Sequence, residues 1–409
     1  MKKRKLITIA ICLLLPALAS CSLLEEKGIT ANNEQSQLKE TEQKAIVQKI
    51  ANNYYYQQLN KKQQDNYIKL YQSLSQFREV ISLSSQSKKS LIKTIDAFVM
   101  DNPEFFWITS ADYHFEISDY DAYVTFPIPK DIKTTYQKLQ STADEIVSKM
   151  PQGSDYDKVK YFYEVIVQQT DYNKKAFEAY QSGDSSKIAS NQDIRSVFLN
   201  HLSVCNGYAQ AFQLLCQKAG IPVAYIRGTV TSHQTQGSYP HAWNTIMLDG
   251  KWYAVDTTWG DPVFDSQLSG NPHTDTNYHF LCLPDSLMNL SHHASSDIDF
   301  NHTETYQNVW KMPVCSDDSL LYAKQHQSYF DTYDTNQVLD SVANQLAKSQ
   351  TPITIQFSNQ EAYEDMVRDL ATNQEQYHHL FSSYQDHYSG YTYSQVPEVY
   401  AISFNTQTA

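Results

Sequence analysis

The sequence predicts an α+β protein in which a helix packs on an antiparallel sheet in the middle of the chain, with a small α+β unit on either side. Three observations carry that reading. Apolar residues recur at helical spacing in several stretches, among them Val159, Phe162, Val165 and Ile166. The stretch SVCNGYAQAFQLLCQKAG, residues 203–220, puts Ala209, Phe212, Leu215, Cys216 and Ala219 on one helical face and then meets Gly220-Ile221-Pro222, a normal helix end. The stretch HAWNTIMLDGKWYAVD, residues 241–256, carries alternating and β-branched residues on both sides of Asp249-Gly250, a strong signal for a hairpin with a two-residue turn.

The N-terminus reads as a secretory leader. Lys2, Lys3, Arg4 and Lys5 precede a mostly apolar run from Leu6 to Ala17, too short for a stable membrane span, and Leu18-Ala19-Ser20-Cys21 follows. That ending resembles a bacterial lipobox. The resemblance implies cleavage after residue 20 and lipid attachment at Cys21, which would hold the body on the extracellular face of a bacterial cytoplasmic membrane. Loss of residues 1–20 removes four cations and no anions, so the formal net charge of −13 becomes −17. An acidic body is a poor nucleic-acid binder. The remaining 389 residues exceed what one core usually organises.

Residues 21–44 are largely polar and nearly without aromatics, as befits a flexible tether. In the N-terminal α+β unit, residues 45–128, helical spacing returns three times: at Ile46, Ile50 and Tyr54; at Tyr67, Leu70, Tyr71 and Leu74; and at Leu91, Ile95 and Phe98. Asp101-Asn102-Pro103 stops the third helix. Tyr113-Phe115-Ile117 and Tyr123-Val124-Phe126 read as a pair of strands. The central domain, residues 129–315, opens with helical periodicity from Ile132 to Gln169. A C-terminal α/β unit, residues 316–409, shows helices around Val338, Val342 and Leu346 and around Tyr363, Met366, Val367 and Leu370, with strands at Ile353-Ile355-Phe357 and Tyr400-Ile402-Phe404. Thirty tyrosines, concentrated in the outer units, suit half-buried packing.

The six cysteines do not form a disulfide framework. Cys12 leaves with the leader and Cys21 is the lipid site. Cys205 and Cys216, eleven residues apart on one helix, would be separated by roughly 16 Å along its axis, beyond disulfide reach. Cys282 and Cys315 stay open as a pair or as two free thiols.

Cys205 falls in the first turn of its helix, where backbone N–H groups and the helix dipole favour a thiolate. If Asp249-Gly250 is the turn, Leu248 faces Lys251, Trp243 faces Asp256 and His241 faces Thr258. His241 and Asp256 then become diagonal neighbours on one face, roughly 7–8 Å apart at Cα. A one-residue slip would put them on opposite faces. A carboxylate beside an imidazole fixes its tautomer, and an imidazole beside a thiol can take its proton. The competing reading is that His241 and Asp256 only satisfy each other at a sheet edge.

Taken together, Val204-Cys205-Asn206-Gly207-Tyr208-Ala209, Gly220-Ile221, His241-Ala242-Trp243-Asn244 and Val255-Asp256-Thr257-Thr258-Trp259 resemble the transglutaminase-like superfamily, over roughly residues 155–290. Asp101-Asn102-Pro103-Glu104-Phe105-Phe106-Trp107 and Asn277-Tyr278-His279-Phe280-Leu281 resemble flanking segments of bacterial members. The resemblance implies a papain/transglutaminase-like core with Cys205 as nucleophile, His241 as general base and acid and Asp256 as orienter. It also implies an oxyanion hole from the Cys205 backbone N–H and the side chain of Gln192, for which helix capping is the alternative. Family members often have a glycine before the Val-Cys pair, where this chain has His201-Leu202-Ser203.

Trp243, Trp259 and Tyr208 are candidates for the substrate cleft, with core packing as the alternative. His292-His293 and His378-His379 are histidine doublets on polar stretches, expected on the solvated surface rather than on a metal. No metal or cofactor motif is evident. Two functions are open. The first is a cysteine-dependent acyl transferase or amide hydrolase with a thioester intermediate, acting on surface proteins or cell-wall peptides. The second is a surface module that holds peptides or glycans in the same cleft without chemistry.

Overall fold

The computed structural model describes residues 41–108, 113–118, 121–184, 186–233, 235–261, 276–300, 304–350, 352–384 and 388–408. The predicted leader, the lipidation site Cys21 and most of the tether lie outside the described residues. Residues 41–50 form helix α1, so helix begins inside the segment read as tether. Among the described residues no helix is long and apolar enough to cross a membrane.

Residues 51–409 form one compact unit. It opens with helix α2 (Lys61–Ser75), strand β1 (Val80–Ser84), helix α3 (Lys88–Asp101) and strands β2 (His114–Ile117) and β3 (Asp121–Thr125). Asn60 caps α2 in a reciprocal box with Gln63, and Ser87 caps α3. The sheet has three strands in the order β1-β3-β2, one more than the sequence reading found.

Helices α4 (Ile132–Ser148) and α5 (Asp155–Gln169) follow, then β4 (Asp171–Tyr172), α6 (Lys174–Gln181), α7 (Ser186–Ala189), α8 (Ile194–Phe198) and β5 (Leu202–Ser203). These lead into α9 (Cys205–Lys218), β6 (Val223–Ser232), β7 (Thr235–Leu248) and β8 (Lys251–Val255). Short elements come next: α10 (Asp285–Met288), β9 (His292–Ala294), β10 (Ile298–Phe300), β11 (Glu304–Tyr306), α11 (Tyr322–Gln325) and β12 (Tyr329–Phe330). The chain closes with α12 (Thr335–Ala347), β13 (Ile353–Phe357), α13 (Gln360–Thr372), α14 (Gln374–Ser382), β14 (Tyr388–Val396) and β15 (Ala401–Thr408). Of these, α14 and β14 escaped the sequence reading.

The central sheet has the order β8-β7-β6-β9, all antiparallel. Its β7–β8 register is the predicted one: Leu248 faces Lys251 and Asn244 faces Val255. Asp249 and Gly250 both have positive φ, 49° and 76°, as a type I′ turn requires. One face of the sheet, with Val223, Ile246, Leu248, Tyr253 and Val255, packs on Phe212 and Leu215 of α9 in the main core. The other face, with Ala224, Ile226, Val230, Trp243 and Ala254, packs on Trp259, Phe280 and Leu287 and reaches Val396, Val399 and Ala401 of the C-terminal segment. Each large apolar side chain buried this way contributes about 1.5–3 kcal/mol.

Buried polar contacts fix the sheet and α9 in place. Asp96 on α3 pairs with both arms of contact from Arg227 Nη2, at 2.8 and 2.9 Å, and also accepts the Trp310 indole N–H at 2.9 Å. Gln213 and Gln217 of α9 donate to the backbone carbonyls of Met100 and Asp101 at 2.8 and 2.6 Å. At the far end, Glu398 accepts from the Ser232 hydroxyl and the His233 N–H at the tip of the β6–β7 hairpin. A buried contact of 2.7 Å joins His279 Nε2 to the Ser403 hydroxyl. Cys216, Cys282 and Cys315 are buried free thiols, so the open question of a Cys282–Cys315 bridge resolves to two thiols.

Candidate functional site

Val204 occupies the N-cap of α9 and offers no side-chain cap. A serine or aspartate there would satisfy the first N–H groups, so a valine leaves that helix end open to an external acceptor. Cys205 is the first helical residue and is partly exposed. Gly207 permits the approach that places it. A Cβ at Gly207 would stand 2.1 Å from Ser203 Oγ and 2.5 Å from Ser196 Oγ, so any side chain would push the first turn of α9 off α8.

The hairpin supplies the partners. The ladder ends at Asn244–Val255, and the next residue of the second strand, Asp256, donates its backbone N–H to Phe280 O at 3.0 Å. Its side chain returns to the β7 face, where His241 Nε2 lies 2.7 Å from Asp256 Oδ2. The Cys205 thiol at the start of α9 acts on the same imidazole and, with Asp256, favours its charged form. The structure thus brings Cys205, His241 and Asp256 together. Both His241 and Asp256 are buried, at 6% and 0% exposure.

Burial opposes a charge on His241, but the adjacent Asp256 carboxylate and the hydrogen bonds to Asp256 and Cys205 outweigh it, and the pKa is pushed up to about 10. Asp256 shows the complementary balance. Burial would raise its pKa, whereas the charge of His241 and hydrogen bonds from His241 and His292 hold it below the usual carboxylate range.

Gln192 is half-buried beside this site. Its Oε1 accepts from Asn206 Nδ2 at 3.3 Å, and Asn206 Oδ1 accepts the Tyr225 hydroxyl at 2.9 Å. This relay fixes which end of the Gln192 amide is the oxygen. The alternative use of this segment, helix capping, is also met: Asp193 caps α8, its side chain accepting from Arg195 N.

The three cleft candidates are buried. Tyr208 is fully buried, its hydroxyl donating to Asp261 and to Thr170 O. Trp243 and Trp259, 3% and 6% exposed, enclose imidazoles instead: Trp243 stacks on His241 at 6.1 Å between ring centroids, and Trp259 lies 6.0 Å from the same ring.

His292 is a second correction. Expected on the surface, it is fully buried, and its Nε2 lies 3.0 Å from Asp256 Oδ2. Burial pushes its pKa down to about 4, against the hydrogen bond and charge of Asp256. Strand alternation separates the doublet: on β9, His292 points inward and His293 outward. His378 and His379 are exposed on α14, as expected.

One ligand atom from each of His241, Asp256 and His292 lies within 4.8 Å of the others. A zinc ion needs its nitrogen and oxygen ligands at about 2.0–2.2 Å. Here both Nε2 atoms sit at hydrogen-bond distance from one carboxylate oxygen, so an ion could enter only by displacing both contacts.

An imidazole held between a thiol and a carboxylate can take the thiol proton and return it to a leaving group, which is the arrangement of thiol-based acyl transfer. Residues 140–257 match the family model described as the transglutaminase-like superfamily. Similar to it are the Kyphoscoliosis peptidases of Mus musculus and Homo sapiens, each 28% identical over 162 residues, 38% of this chain and 23% of theirs. The chain thus spans less than a quarter of the length of these curated relatives. Among solved structures, a crystal structure of a TGase matches at 17% identity over 40% of this chain and 46% of its own, with a TM-score of 0.27. The periplasmic domain of TgpA from Pseudomonas aeruginosa matches at 16% identity over 35% of this chain and 55% of its own, with a TM-score of 0.21.

Proposed function

We propose that this protein is a membrane-anchored, extracellular cysteine acyl transferase or peptidase acting on surface proteins or cell-wall peptides. The observation that carries the proposal is the 2.7 Å contact of His241 with Asp256, with the Cys205 thiol at the start of α9 acting on the same imidazole. In this reading His241 takes the thiol proton as Cys205 Sγ attacks an amide carbonyl. The tetrahedral oxyanion accepts from the uncapped N–H of Cys205 and from Gln192. His241 then protonates the leaving nitrogen and a thioester forms on Cys205. An amine acceptor gives a crosslink and water gives hydrolysis, and access of water to the thioester decides between them.

The name of the mouse and human relatives supports the peptidase arm. The leader and lipobox-like ending of the sequence support the anchor and the extracellular site. The test offers the purified full chain a fluorescent alkylamine with casein, and casein alone. The wild type is expected to incorporate the amine, cleave casein, or both, and Cys205→Ala to do neither. Full retention of activity in Cys205→Ala would refute the mechanism. Radiolabelled palmitate incorporated in a bacterial host, and lost in Cys21→Ser, tests the anchor.

A further inference from the structure

Asp256 accepts four hydrogen bonds, and their distribution is uneven. Oδ1 is held by the backbone N–H groups of Thr258 and Trp259 at 2.8 and 3.2 Å. Oδ2 is held by two imidazoles, His241 at 2.7 Å and His292 at 3.0 Å. Without His292, Oδ2 would accept only from the ring it orients, and the carboxylate would be held by other groups through Oδ1 alone.

We infer that His292 is a positioning residue of the site: its Nε2–H, aimed by Ser291, locks Asp256 Oδ2 so that the carboxylate holds the His241 ring toward Cys205. The inference rests on the catalytic reading above. Ser291 Oγ lies 2.8 Å from His292 Nδ1. A hydroxyl donating to Nδ1 leaves the proton on Nε2, where Asp256 accepts it. Ser291 is itself 1% exposed and its carbonyl accepts Thr231 N at 2.9 Å, so the donor is anchored to β6.

The sheet register explains how two imidazoles from strands on either side of β6 reach one carboxylate. His292 pairs with Val230, while Gly228 pairs with His241 on one side and Ala294 on the other. The missing side chain at Gly228 opens the face between Ile226 and Val230, and there the two rings approach to 5.4 Å between centroids in a T-shaped contact. Trp243 at 5.1 Å, Trp259 at 4.6 Å and Phe280 at 6.0 Å complete an apolar box around His292. Polar side chains are buried where they are hydrogen-bonded, and the polar contacts of this imidazole are the serine and the carboxylate.

The test uses the purified full chain with His292→Phe, His292→Gln and Ser291→Ala. Three quantities are read: the rate at which iodoacetamide modifies Cys205, by peptide mass mapping; kcat and KM for amine incorporation into casein; and the melting temperature. Loss of one hydrogen bond to a charged acceptor corresponds to about a 10- to 100-fold effect. His292→Phe should lower both the Cys205 modification rate and kcat by that factor with KM changed less than about twofold. His292→Gln, whose amide nitrogen can reach the place of Nε2, should recover most of the loss. A His292→Phe protein that melts normally and keeps both rates within about twofold of the wild type overturns the inference, as does an equal loss in the Phe and Gln variants.

If His292→Phe does not fold, Ser291→Ala decides. A several-fold fall in kcat at unchanged KM supports the role, and no change overturns it. Wild-type Cys205 that reacts no faster than in the urea-unfolded chain refutes the catalytic reading itself, an outcome distinct from these.

Discussion

Replacing Gly228 by alanine tests the packing on which the site rests. Gly228 does not have the left-handed backbone that would make a Cβ costly by itself. The cost is therefore steric and can be read from contacts. A Cβ built there stands 2.2 Å from the backbone oxygen of His293 and 2.7 Å from the Trp243 ring. Restoring an ordinary contact with the backbone oxygen requires a movement of about 1 Å. Because the obstacle is backbone, strand β9 must move as a piece and carry His292 with it.

Overpacking of this kind costs about 1–3 kcal/mol, which for a unit of this size lowers the melting temperature by roughly 1–4 °C. The same displacement stretches the 3.0 Å contact of His292 with Asp256 beyond hydrogen-bond length. Calorimetry of the full chain, together with the rate of Cys205 modification by iodoacetamide, reads both effects. Gly228→Ala should melt lower and react about tenfold or more slowly. A variant with the melting temperature and the rate of the wild type would refute the account of why the position is glycine.

Three further outcomes follow from the site. Asp256→Asn keeps its amide oxygen toward the Thr258 and Trp259 N–H groups and turns its NH2 toward both imidazoles, whose Nε2 atoms must then accept; kcat should fall by about 10³–10⁴ with the fold retained, and circular dichroism beside turnover checks both. Gln192→Ala removes the side-chain donor that Asn206 and Tyr225 orient, and should lower kcat by about 10²–10³ with KM little changed, measured by amine incorporation. Stability should peak near pH 6–7. The raised His241 pKa contributes stability that is complete below pH 6.5 and is lost as pH rises toward about 10. His292, lowered to about 4, and His279, lowered to about 3, withdraw stability as pH falls below 6.5, with Asp256 adding to that loss further down. Buried Asp101, raised to about 7, opposes them between pH 4 and 7. Each uncompensated group gives a slope of about 1.4 kcal/mol per pH unit. Urea midpoints at pH 5, 7 and 9 check the prediction, and a midpoint that rises from pH 7 to 9 would contradict it.

The parts of this structure that could be read in the sequence are those set by local chemistry. Asp249-Gly250 dictates its turn, the turn fixes the β7–β8 register, and the register puts His241 and Asp256 on one face. Gly220 and Pro222 close α9, which leaves Cys205 at its start. What escaped was set by long-range packing. Strand β9 has three residues, too few for a period, and His292 is inward only because it pairs with Val230, some sixty residues earlier. The tryptophans beside His241 and Asp256 looked like cleft walls, since sequence does not show that a third ring from β9 stands between them. The short pairing of β4 with β5 joins residues thirty apart with no turn to announce it.

The most direct measurement is the rate at which iodoacetamide modifies each cysteine of the full chain, mapped by peptide mass, in the wild type and in His241→Ala. The account predicts modification of Cys205 ahead of Cys216, Cys282 and Cys315, which are fully buried, and a fall of about tenfold or more at Cys205 when the imidazole is removed. An unchanged Cys205 rate in His241→Ala would contradict the coupling of thiol, imidazole and carboxylate.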